Sequence, residues 1–136
     1  RRYQLALESG DVELLREVLA DSAWRLRDET YVQLIAALEE NSDNFGHALP
    51  WREMAVELRD TSENRALLEH CQVQALFSQA RATLDKQRLF YHGDSEIAPE
   101  LDRLEKALVQ RDSAGVKASL ETLERLRNER RSAHGL

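Results

Sequence analysis

Apolar residues recur at helical spacing along nearly the whole chain, and the breaks between those stripes mark out six or seven helices. The clearest stretch is Trp51 to Asn64. Trp51, Met54, Ala55 and Leu58 fall at i, i+3, i+4 and i+7, and Thr61-Ser62-Glu63-Asn64 then stops the pattern and offers a cap to the next helix. Before it, a short helical piece around Tyr3 to Leu7 breaks at Gly10-Asp11 from an amphipathic helix over Val12 to Leu26, with Val12, Leu15, Val18, Leu19 and Leu26 on its apolar face. Asp28 is suited to N-cap a helix carrying Tyr31, Leu34, Ile35 and Leu38, which Asn41-Ser42-Asp43-Asn44 ends. Asn41 to Pro50 reads as a loop, and Pro50 suits the first turn of the helix at Trp51.

The longest pattern, Glu63 to Leu89, holds two apolar lines: Leu68, Cys71 and Ala75, and Val73, Leu76, Phe77, Ala80 and Leu84. Such a helix packs on two sides, as a central element or between a core and a subunit interface. Tyr91-His92-Gly93-Asp94-Ser95 is a turn, Pro99 opens a helix with Leu101, Leu104 and Leu108, and the pattern breaks at Gln110-Arg111-Asp112. A last helix, capped by Asp112 or Ser113, buries Val116, Leu120 and Leu123 and runs out through Leu126 into an arginine-rich tail. The expected fold is all-α, an antiparallel helical bundle forming a single domain over residues 1–136. Ala6-Leu7 followed by Asp11 and Ala107-Leu108 followed by Asp112 repeat one form. Short helices joined at an acidic cap converge on it, so the repeat reads as two similar turns rather than a duplication.

Composition agrees with a helical class: 42% hydrophobic and 32% charged residues, with five Gly and two Pro. The balance of 19 basic against 25 acidic residues, net −6, opposes non-specific attraction to a phosphate backbone. Cys71 stands alone, which excludes an internal disulfide and a cysteine-rich zinc site. No apolar run approaches the ~18 residues that span a bilayer, and no signal peptide is evident, so a cytoplasmic protein without membrane contact is expected. The first residues are Arg1-Arg2 rather than methionine, and the expectation is a fragment of a longer protein.

Catalysis finds no constellation to carry it, and no catalytic residue, metal ligand set or cofactor is expected. His47 and His92 fall in expected loops, His134 in the tail and His70 beside Cys71 on the long helix, so no two histidines share the i, i+3 or i+4 spacing of helical ligands. Neighbours on a helix point about 100° apart, so Cys71 and His70 do not form a nucleophile–base pair. Arg125-Leu126-Arg127-Asn128-Glu129-Arg130-Arg131 is rich in arginine but carries no interleaved aromatics, and cations at a helix C-terminus are favoured by the helix dipole.

From Trp51 onward the order of features resembles the FCD domain, the helical effector-binding and dimerisation domain of GntR-type bacterial transcription regulators. Leu58, Ser62 and Asn64 match the end of that family's D-x-x-F-H-x-x-L-x-x-x-S-x-N segment. Glu100, Ala107, Leu108 and Asp112 match its E-H-x-x-I-L-x-A-L-x-x-x-D stretch. The resemblance implies a ligand-sensing homodimer that controls an attached winged-helix domain absent from this chain, through which alone DNA would be bound. The four positions that commonly hold a metal in the family are occupied here by Trp51, Ala55, Leu101 and Leu123, none of which binds metal through its side chain. A pocket lined by these four would favour an apolar or acyl-bearing ligand or small organic acid, with Arg81 or Arg88 of the long helix to meet a carboxylate. The alternative implied by the same apolar replacements is a helical scaffold or protein-interaction module with no small-molecule ligand.

Overall fold

Three of the joints between helices share a left-handed residue followed at once by the residue that starts the next helix, and two of them underlie the repeated form in the sequence. In this computed structural model, which describes residues 2–21, 23–24 and 28–133, seven helices form among the described residues: α1 (Arg2–Ser9), α2 (Val12–Asp21), α3 (Glu29–Asn41), α4 (Phe45–Leu58), α5 (Ser62–Gln87), α6 (Ile97–Val109) and α7 (Ser113–Ala133). The chain is all-α. Gly10, Asp43 and Arg111 have left-handed backbones, with φ of 66°, 60° and 56°, and each closes a helix. Gly10 N–H donates to Ala6 O at 3.0 Å, Asn44 N–H to Glu39 O at 2.8 Å, and Asp112 N–H to Ala107 O at 2.9 Å. The residue after each left-handed position starts the next helix, as Asp11, Asn44 and Asp112 accept on their carbonyls from Leu15, Ala48 and Val116. Asp11 and Asp112 also cap through their side chains, to Glu13 and Leu14 and to Gly115 respectively. The two Ala-Leu…Asp stretches thus share a left-handed residue before a capping aspartate but close differently, Ala6 O accepting from the left-handed Gly10 itself and Ala107 O from Asp112, one residue later. Glycine is favoured at the first of them, since a Cβ on Gly10 would sit on a left-handed backbone and 2.6 Å from Asn41 Oδ1, so that the Asn41 side chain would have to move.

The chain groups into two compact units, Arg1–Ala75 and Leu76–Leu136, with the boundary inside α5. In the first, α3 packs against α1, α2 and α4. Asp28 caps it as expected, accepting from Thr30 and Tyr31 N–H at 2.9 and 3.4 Å. Leu34 and Ala37 join Ala6, Leu15 and Val18 in one buried cluster, to which Tyr3, Leu7, Leu14 and Leu38 pack. Val32 and Ala36 are equally buried and share a second line with Glu40, which meets α4. The expected single stripe of Tyr31, Leu34, Ile35 and Leu38 is thus only half of the buried surface. In this unit α3 is the helix packed on two sides, and its alanines let neighbouring backbones come close.

Three expectations are corrected here. The segment Asn41–Pro50 is not a loop: α4 begins at Phe45, with His47 and Pro50 inside it. Burial of Ala48 and partial burial of Phe45 extend the helix backward. Pro50 has no N–H for the Gly46 carbonyl four residues back, and Gly46 is exposed, so water can serve that acceptor. Secondly, α2 stops at Asp21 rather than reaching Leu26, which lies outside the described residues. Trp24 beyond it donates its indole N–H to Val18 O at 3.4 Å and stacks on Tyr31, with ring centroids 6.2 Å apart. Thirdly, the arginine-rich stretch after Leu126 is not a tail beyond the last helix but part of it, since α7 continues to Ala133; His134 lies outside the described residues.

The two apolar lines of α5 are divided between the units. Cys71 is buried and Leu68 half-buried in the first, while Phe77 and Ala80 are buried and Leu84 half-buried in the second. In the second unit α6 packs on α7. Ile97, Leu101, Leu104 and Ala107 are buried on α6, and Val116, Ser119, Leu123 and Leu126 on α7. Gly115 permits close approach there, since its Cβ would meet Ala107 Cβ at 3.2 Å. Asp94 ties the turn after α5 to both helices. Its carboxylate accepts from Glu96 and Ile97 N–H, each at 2.9 Å, and from Arg130 of α7 at 2.8 and 2.9 Å. The Arg130 guanidinium, aided by those two N–H groups, holds the Asp94 carboxyl well below the usual carboxylate range. A carboxyl depressed in the folded state stabilises fully above its unfolded value, about 3.9, and that contribution is lost as pH falls further. Wild type should therefore exceed Asp94→Asn in stability by a constant amount near neutral pH, and the gap should close from about pH 4 downward in urea titrations. A gap that does not change with pH would contradict this.

Candidate functional site

The register positions that the family resemblance marks out sit on inward faces of their own units. In the first unit Ala55 is 1% exposed, and Trp51 is half-buried with its ring edge-on to Tyr31 at 6.3 Å between centroids. In the second, Leu101 and Leu123 are each 1% exposed. The two arginines differ. Arg81 is exposed on α5, and Arg88 is held by Asp102 at 3.0 Å and by Glu105 of α6, which occupies its guanidinium.

Asn64, matched to the asparagine of the first motif, has a defined local task. It is 3% exposed and its Nδ2 donates to Arg59 O at 2.8 Å and Ala55 O at 3.3 Å, a second donor for each of these carbonyls at the end of α4, which also accept from Thr61 and Arg59 N–H respectively. Its Oδ1 accepts from Gln33 Nε2 at 3.2 Å, and its own N–H is capped by Thr61 Oγ1 at 3.1 Å. Thr61 thus caps α5, and Asn64 in its first turn binds both the end of α4 and α3. Around it Glu29, Gln33, Arg59, Thr61 and Ser62 line a polar recess of about 330 Å³. Asn64→Ala removes a buried amide that ties α5 to α3 and to the end of α4, and should cost about 1–3 kcal/mol in urea denaturation, whereas a loss within error would show that water replaces the amide.

The centre of α4 carries what the apolar pattern hides. Arg52 is 5% exposed and forms a two-pronged pair with Glu40 of α3, Nε to Oε2 at 3.0 Å and Nη2 to Oε1 at 2.6 Å. Cys71 lies in the same interior and donates its thiol to Phe45 O at 3.4 Å. Burial first, then the Glu40 charge, pushes that thiol up to about 11, so it is held protonated and is a poor nucleophile. The sequence signal for the pair was present: Arg52 stands four residues after Ala48 and three before Ala55, on the buried line itself.

A second recess, about 170 Å³, lies between the second half of α5 and α7, and Leu123 borders it. Arg127, one turn beyond Leu123, also lines it, and its Nε is buried with no hydrogen-bond partner among the described residues. Sequence reasoning grouped Arg127 with the tail cations, although its spacing of four from Leu123 places it on the inward side of α7. Arg130 likewise serves Asp94, and Arg125 pairs with Glu129 at 3.0 Å. Among the described residues no three His, Cys, Asp or Glu side chains come together to hold a metal ion, and no helix is long and apolar enough to cross a membrane. Comparison of the chain with protein-family models, with characterised proteins and with solved structures gives no match.

Proposed function

We propose that this chain is a ligand-sensing and dimerising domain of the GntR-regulator kind, lacking the usual metal site and acting on an attached winged-helix domain. The observation that supports the reading most is the burial at the register positions: Ala55, Leu101 and Leu123 all face inward, and Asn64 of the matched motif joins three helices. Apolar side chains at those places offer no metal ligand, in keeping with a member of that kind that works without the metal site. Such a ligand shifts the domain between two dimer arrangements only to the extent that it prefers one of them.

The test combines light scattering with a thermal-shift screen of small carboxylic and acyl compounds. The expected result is a homodimer stabilised by ~5 °C or more at a hundredfold excess of one compound class over its Kd, with the shift lost in Trp51→Ala. A monomer that no compound stabilises would overturn the reading. A protein-interaction module is the second reading, favoured by Leu89 and Phe90, which stand 83% and 78% exposed beside each other after α5. It predicts that Leu89→Ser and Phe90→Ser abolish partner capture while leaving stability unchanged.

A further inference from the structure

The recess between α5 and α7 has its own chemistry. From α5 it takes Leu76, Gln79 and Thr83, one face at i, i+3 and i+7; from α7 it takes Leu123, Glu124 and Arg127. The buried Nε–H of Arg127 is a charged donor without an acceptor, which is costly to leave unmet. Arg127 as a whole is half-buried, and a turn about its terminal torsions presents Nε–H and one Nη–H side by side, the fork that fits a carboxylate. Glu124 lies one turn earlier, about 4.5 Å along the helix axis. Among the described residues neither Glu124 nor Arg127 enters an ion pair.

That balance of charge selects the ligand. A simple anion would satisfy Arg127 but face Glu124, and a simple amine the reverse. Lys117 and Glu121, further along α7, also line the recess and add one charge of each sign. A molecule bearing carboxylate and ammonium on one carbon meets Arg127 with the first and Glu124 with the second, and its apolar remainder lies on Leu76 and Leu123. The volume of about 170 Å³ slightly exceeds the ~150 Å³ that admits benzene, so alanine to valine is the size that fits. We infer that this recess binds a small α-amino acid with an apolar side chain. The assignment names a ligand for the sensing reading, and it rests on that reading only for the regulatory consequence.

Calorimetry and thermal shift with L-valine, isovalerate and isobutylamine on the whole chain test it. L-valine should bind, with isovalerate and isobutylamine each at least about tenfold weaker, and Arg127→Gln and Glu124→Gln should each weaken L-valine by about tenfold or more. Glu124 is exposed, so Glu124→Gln keeps the test open if Arg127→Gln fails to fold. Isovalerate binding as tightly as L-valine, or no binding by L-alanine or L-valine, would overturn the assignment. L-valine binding that leaves the dimer unaltered supports the assignment and removes the sensing reading. A different acid whose binding is lost in Trp51→Ala, with no amino acid bound, does the opposite.

Discussion

Arg52→Met should destabilise the protein by about 3–5 kcal/mol, because it leaves a buried carboxylate without its cation. The Glu40 side chain is 13% exposed, and both of its oxygens bond Arg52. Little water can reach it to replace those bonds. The companion change separates the cost of stranding a charge from the worth of the pair. Arg52→Met with Glu40→Leu removes both groups and should recover most of the loss, since apolar residues of similar size often replace a buried pair at no cost. Urea denaturation of the two single variants and the double variant measures this. Additive losses would show that the charges do not act as a pair.

Leu101→Ala should cost about 2–5 kcal/mol, the range for truncating a leucine in a packed interior. Leu101 is 1% exposed, on the same buried line of α6 as Ile97 and Leu104. The size of the loss bears directly on function. A leucine packed on all sides yields the full cost, whereas one forming the wall of an opening has already lost contacts on one side. A loss below about 1 kcal/mol in urea denaturation would thus mark Leu101 as lining a cavity rather than filling a core.

The helical class and most element boundaries were legible because the apolar spacing is regular and Asp28 and Asp112 are strong caps. The inward faces at Ala55, Leu101 and Leu123 followed from the same spacing. What escaped was wherever tertiary burial outweighed a local signal. Gly46 and Pro50 mark a loop by propensity, yet Ala48 draws that segment into α4. Arg52 is charged, and charge is ordinarily a mark of the surface, so its place on the buried line became visible only with Glu40 beside it. Arg127 was absorbed into a run of arginines whose members have separate partners: Arg130 binds Asp94, Arg125 binds Glu129, and Arg127 Nε has none among the described residues. The division of α5 between two units has no local mark, because its hydrophobic lines overlap in sequence.

The short joints also govern how quickly this chain can find its fold. With a left-handed residue and a capping residue in direct succession, α1 meets α2, α3 meets α4 and α6 meets α7 with almost no intervening chain. Closing so small a loop costs little entropy, and the helices it brings together are neighbours in sequence. Proteins dominated by local helical packing fold in microseconds to milliseconds. These hairpins are therefore suited to form early, each as an independent nucleus. Asp43 and Arg111 would then limit the rate at which their hairpins close, since each must enter a backbone region that glycine enters freely.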